Sequence, residues 1–91
     1  MILDKLETID ELILNVAKRF KKIRKAKKIS QQQLALSSNV SLGSIKRFET
    51  TGEISLYSLA KLCDTLDIRY EISNLFKNIP FMSIEEVLRS E

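Results

Sequence analysis

Ser41, Leu42, Gly43, Ser44, Lys46 and Arg47 carry the chemistry in this chain. They are short, polar or basic side chains, suited to approaching the edge of a base and the phosphates beside it. The Arg47 guanidinium presents two parallel donors, which matches the two acceptors of guanine in the major groove. Such a contact is worth about 1–3 kcal/mol of base discrimination. The same fork also fits a phosphate, where it strengthens binding without choosing a sequence. Leu42 either meets a thymine methyl or packs partly into the core. Gly43 contributes no side chain but permits close backbone approach.

These residues need two elements to hold them out. Residues 31–37 and 42–49 read as two short helices joined by a tight turn. Ser30 and Ser41 are N-caps. Gln33, three residues after Ser30, completes a capping box. Asn39 stands where the turn requires a left-handed backbone, which Asn tolerates. Leu34, Val40, Ile45 and Phe48 are the large apolar residues of the seam, and Ala35 is small enough for the second helix to cross close by. The pattern is a helix-turn-helix, whose second helix enters the major groove of double-stranded DNA.

Charge is distributed to match. From Lys18 to Phe48 there are ten bases and no acid. The net charge of +3 therefore conceals a block of +10 between flanks of −3 and −4. A basic surface beside a reading helix is the electrostatic footprint of a phosphate binder. Lys21, Lys25, Lys28 and Lys46 are the phosphate-contact candidates.

Size and composition bound the alternatives. Ninety-one residues with 44% apolar and 30% charged content make one ordinary globular domain. One Cys, Cys63, excludes an internal disulfide and a cysteine-based zinc finger. No run is long enough to span a membrane, and no signal-peptide layout opens the chain, so a cytoplasmic location is expected. There is no His, no Gly-rich phosphate loop and no nucleophile with a base partner at a recognisable spacing. No enzymatic activity, cofactor or metal is expected. The chain also lacks the aromatic platform of single-stranded RNA readers.

The remaining elements are helical. Thr8 and Glu11 form a capping box opening a long first helix, with apolar residues at Ile9, Leu12, Ile13, Val16, Phe20 and Ile23. Gly52 ends the third helix. Ser55 caps a fourth, with Leu56, Leu59, Leu62, Cys63 and Leu66 on one face. A fifth is expected over 69–76, burying Ile72, Leu75 and Phe76. Ser83-Ile84-Glu85-Glu86 is a further capping box, opening a short last helix. The reading is an all-α fold: a DNA-binding domain over 1–76 with an N-terminal helical extension and the motif at 31–49, then a tail over 77–91. Phe81, Ile84, Val87 and Leu88 make an apolar strip on that tail, suited to a dimer or a partner.

Gln31-Gln32-Gln33-Leu34-Ala35, Ser44-Ile45-Lys46-Arg47-Phe48-Glu49, Gly52 and the run Leu59 to Ile68 resemble the Xre family of lambda-repressor-like DNA-binding domains. The resemblance covers about residues 18–76 and implies five helices. It implies base reading by Ser41, Leu42, Gly43, Ser44 and Arg47, with Lys46 beside them, and a phosphate contact by Gln31. It also implies an architectural pair between Arg24 and Glu49. Such proteins regulate transcription, commonly as homodimeric repressors. The tail from Leu75 to Leu88 resembles those of Xre proteins encoded beside HipA-type kinase toxins, which implies an antitoxin role with a toxin partner.

Overall fold

The computed structural model describes residues 6–78 and 84–89, and among these it is all-helical. Six helices follow in order: α1 (Ile9–Ala26), α2 (Gln31–Ser38), α3 (Leu42–Thr51), α4 (Leu56–Thr65), α5 (Arg69–Ser73) and α6 (Ile84–Arg89).

Local chemistry sets the boundaries. The Thr8 hydroxyl accepts from the Glu11 amide at 3.0 Å, and the Glu11 carboxylate accepts from the Thr8 amide at 2.9 Å. Ser30 and Gln33 make the same reciprocal pair at the start of α2. Ser41 and Ser55 each accept one amide of the first turn of α3 and α4. These caps satisfy donors that the helix itself leaves orphaned. Asn39 closes α2 in the left-handed region, at φ 63°. Its amide donates to Ala35 O, and the buried Ser38 hydroxyl accepts from Val40 N across the turn. Gly52 closes α3 at φ 87°. A Cβ at Gly52 would stand 2.9 Å from Ile13 O, so α1 leaves no room for a side chain there.

The core gathers Ala17, Phe20, Leu34, Val40, Ile45, Phe48, Leu62, Cys63, Leu66 and Ile68. Phe20 and Phe48 meet edge to face, with ring centroids 5.2 Å apart, a geometry aromatic pairs favour. Helix α3 lies against both α1 and α2, and α4 packs on α2 and α5.

Two apolar faces differ from the sequence expectation. On α1, Phe20 is buried and Ile13 and Ile23 are half-buried, but Ile9, Leu12 and Val16 are exposed. Eighteen residues make a helix of about 27 Å and ten make one of about 15 Å, so α1 outruns the α3 it packs on. Its buried stripe runs instead through Ala17, Phe20 and Arg24. The fifth helix stops at Ser73, and the chain turns through Asn74 to Phe76. Ile72 packs against the core, whereas Leu75 is half-exposed and Phe76, at φ 59°, is 94% exposed. Leu75 and Phe76 do not reach the core, so their burial contributes nothing to a further turn. Leu56, at the open end of α4, is likewise exposed.

Candidate nucleic-acid interface

Helix α3 sorts its residues by face. Ile45, Phe48 and Glu49 point inward and are buried. Ser41, Gly43, Ser44, Lys46 and Arg47 are exposed, and Leu42 is half-buried at their edge. The alternation is geometric: inward residues three and four apart leave the intervening positions outside.

Each outward residue has a distinct local state. The Ser41 hydroxyl accepts from Ser44 N at 3.1 Å and donates to the Ser44 hydroxyl at 2.8 Å, so its proton is used and one acceptor lone pair remains. The Ser44 hydroxyl proton stays free to donate outward. A Cβ at Gly43 would meet nothing within 4 Å, so the helix surface there is open and flat. Lys46 extends from the next turn. Arg47 donates from Nε (3.0 Å) and from Nη2 to a single oxygen, Glu53 Oε1. Ser44, Arg47 and Glu53 share an open groove of about 410 Å³ with Ile54, Ser55 and Ser58 from the start of α4.

Behind this face lies a buried polar cluster. Arg24 Nε donates to Glu49 Oε2 at 2.7 Å and Nη2 to Oε1 at 2.9 Å. Its Nη1 donates to Ile29 O at 2.8 Å. Gln31 Nε2 donates to Glu49 Oε1 at 2.9 Å. The cluster joins the end of α1, the start of α2 and the last turns of α3. Gln31 is half-buried, and the second N–H of its amide is still free to donate.

The basic block is mostly at the surface. Lys18, Arg19, Lys22, Lys25, Lys27, Lys28, Lys46 and Arg47 are exposed, Lys21 is half-buried, and Arg24 is buried. Lys27 and Lys28 occupy the turn between α1 and α2, next to the Gln31 end of α2. Lys61 reaches from α4 to Asn39 O at 3.4 Å and lies over the Tyr57 ring.

Residues 20–72, more than half of the chain, match the helix-turn-helix family model. The chain belongs to that family. It is an Xre-like helix-turn-helix domain, the DNA-binding part of transcription regulators. Nothing among curated proteins or solved structures matches it. The helix-turn-helix match begins at Phe20, so the first half of α1, with its exposed Ile9, Leu12 and Val16, lies outside it.

Among the described residues, no group of His, Cys, Asp and Glu is placed to hold a metal ion, and no helix is long and apolar enough to cross a membrane. Cys63 sits in the core, where burial and then the charge of Glu71 raise its thiol above the ordinary value. It is a small apolar filler there. On the tail, Phe81 and the side chains of Ile84 and Val87 lie outside the described residues, and Leu88 is exposed. Sequence reasoning missed Glu53. Its signal was Gly52: a left-handed helix end folds the following residue back beside the last turns.

Proposed function

We propose that this helix-turn-helix protein is a transcription repressor that binds an inverted-repeat operator as a homodimer. Each copy lays α3 in a major groove, with half-site centres about 10 base pairs apart or a multiple of that. The observation that carries this reading is the outward face of α3, where Gly43, Ser44, Lys46 and Arg47 stand open to solvent. Ser41, Leu42, Gly43, Ser44 and Arg47 read base edges. Gln31, Lys21, Lys25, Lys28 and Lys46 hold phosphates. Arg24 and Glu49 fix the helices that present them. Residues 1–76 are the DNA-binding unit and 77–91 the docking tail. The protein works where its DNA is, in the cytoplasm, and needs no cofactor.

Anisotropy titrations test this, with duplexes from the region upstream of the gene and random duplexes of equal length. Arg47→Ala should weaken the specific site by about 1–3 kcal/mol and affect random DNA less. Lys21→Ala or Lys25→Ala should lower the salt slope by about one unit. Folded protein that binds no duplex at moderate salt would overturn the proposal.

A second reading is favoured by the exposed Leu75, Phe76 and Leu88 near the tail. Here the chain is also the antitoxin of a HipA-type kinase toxin and autoregulates its operon. Co-expression with the product of the adjoining gene tests it. A stable complex supports the role, and independent elution of two folded proteins removes it.

A further inference from the structure

Glu53 lies outside the base-reading, phosphate and ion-pair sets above, yet it accepts the only hydrogen bonds that the Arg47 side chain makes among the described residues. Its place is fixed from several sides. Gly52, in the left-handed region and pressed against Ile13, turns the chain back at the end of α3. The Glu53 amide donates to the Thr51 hydroxyl at 3.1 Å. That hydroxyl in turn donates to the carbonyl of Arg47 itself at 2.8 Å. Glu53 is therefore anchored to the residue whose side chain it meets.

The geometry of the contact matters. Arg47 uses Nε and Nη2, one edge of the guanidinium, on a single carboxylate oxygen. The end of the fork, formed by Nη1 and the outer N–H of Nη2, is unused. Guanine offers two acceptors, O6 and N7, which that end can meet together. A phosphate also fits that end, but its attraction depends mainly on net positive charge. The carboxylate cancels that charge locally and repels any phosphate that comes near. Both side chains are more than half exposed, so the pair is weak and yields to a well-matched partner.

We propose that Glu53 is a specificity-determining residue: it masks the charge of Arg47 against phosphates while holding its fork ready for guanine. This rests on the reading of α3 as the helix in the groove. Arg47 then contributes little to random DNA and much to a site with guanine at its position. The lysines, free of such partners among the described residues, supply the unselective grip.

The test compares wild type with E53A, E53Q, R47A and R47A/E53A on a selected operator duplex and a random duplex across salt concentrations. Circular dichroism melts confirm folding of each variant. E53A should tighten random DNA by no more than about fivefold, since an exposed pair is weak. It should steepen the salt slope on that DNA by about 0.9 unit as Arg47 turns to a phosphate. Operator binding should weaken by about twofold as the fork loses its orientation, so the operator-to-random ratio should fall by about tenfold, within the range set by one bidentate base contact. E53Q keeps an acceptor but loses the charge, so it should tighten random DNA while holding operator affinity near wild type. In the R47A background, E53A should leave the ratio unchanged. If E53A instead tightens both duplexes equally, with or without Arg47, Glu53 is only one more negative charge and the proposal fails. Wild type that binds no duplex removes the DNA-reading role of α3 and this proposal with it. Selective wild type with an unaltered ratio in E53A removes this proposal alone.

Discussion

Removing the Glu49 carboxylate should be among the most damaging single changes in this domain. The Arg24 and Glu49 side chains are 7% and 2% exposed and share two hydrogen bonds. Glu49→Ala leaves Arg24 Nε and Nη2 without acceptors in a place water reaches poorly, and it leaves the Gln31 amide without its partner. Breaking one side of a buried pair in this way costs about 3–5 kcal/mol. That is a large part of the roughly 5–15 kcal/mol that holds a domain together. At about 4–8 °C per kcal/mol for a chain of this size, the midpoint should fall by about 12–40 °C.

The double variant Arg24→Met, Glu49→Leu separates two explanations. It removes both charges and fills the space with apolar atoms. Replacing buried pairs like this is often neutral or stabilising by about 1–4 kcal/mol. Here the gain is smaller, because Gln31 and Ile29 O still lose partners, at about 1 kcal/mol each. The double variant should therefore melt well above Glu49→Ala and within a few degrees of wild type. Urea unfolding followed by circular dichroism gives the energies, with an unchanged m-value confirming that the same surface is exposed. A Glu49→Ala loss below about 1 kcal/mol, additive with Arg24→Met, would refute the reasoning, because additivity means the two groups do not sense each other.

Other perturbations follow from single features. Gly52→Ala forces a side chain into the left-handed region and against Ile13 O at 2.9 Å; it should cost about 1–2 kcal/mol or more by thermal melt. Gly43→Ala should do the opposite to the fold, adding about 0.5–1 kcal/mol, because the position is helical and open; operator titrations should show weaker binding from the same variant where the groove wall approaches the backbone. Cys63 carries a raised thiol in the folded state, so the unfolded chain releases its proton first as pH rises. Stability should be full below the ordinary value of 9.0 and decline above it, and the decline between pH 8 and 10 should be shallower in Cys63→Ala. Ser41→Ala removes the cap of α3 and should cost about 1 kcal/mol, seen as a lower melting midpoint.

Caps and turns were the legible part of this chain because their chemistry is local. Thr8 with Glu11, Ser30 with Gln33, Ser41, Ser55, Asn39 and Gly52 each act on backbone within a few residues, and each stands where the sequence places it. Apolar faces were less legible. Periodicity tells which residues share a side of a helix, not whether a neighbour is long enough to cover it. Ile9 lies a turn before Ile13, where the end of α3 meets α1, Leu12 and Val16 lie to one side of the buried stripe, and Leu75 and Phe76 follow a helix that ends too soon to bury them. The Arg47 contact was harder still, since it depends on a chain reversal that brings Glu53 back over six residues.

The charge map shows why counting along the chain overstates what DNA would feel. In sequence the boundary is clean, with ten bases and no acid from Lys18 to Phe48 and an acid at the next residue, Glu49. In space it is not a boundary. Glu49 turns inward onto Arg24, and Glu53 folds back onto Arg47. Both arginines are thereby committed, and eight bases of the block remain without a carboxylate partner among the described residues. Seven of those eight are lysines, compact point charges with no planar fork to direct. The carboxylates at 49 and 53 thus hold two of the block's three guanidinium groups in defined orientations, while Arg19 and the seven ammonium groups are left to the solvent. On the proposed reading of α3, grip and selection would reside in different side chains: a lysine substitution should change affinity for all duplexes, whereas changes at 49 and 53 should alter how the helix is held and what Arg47 recognises.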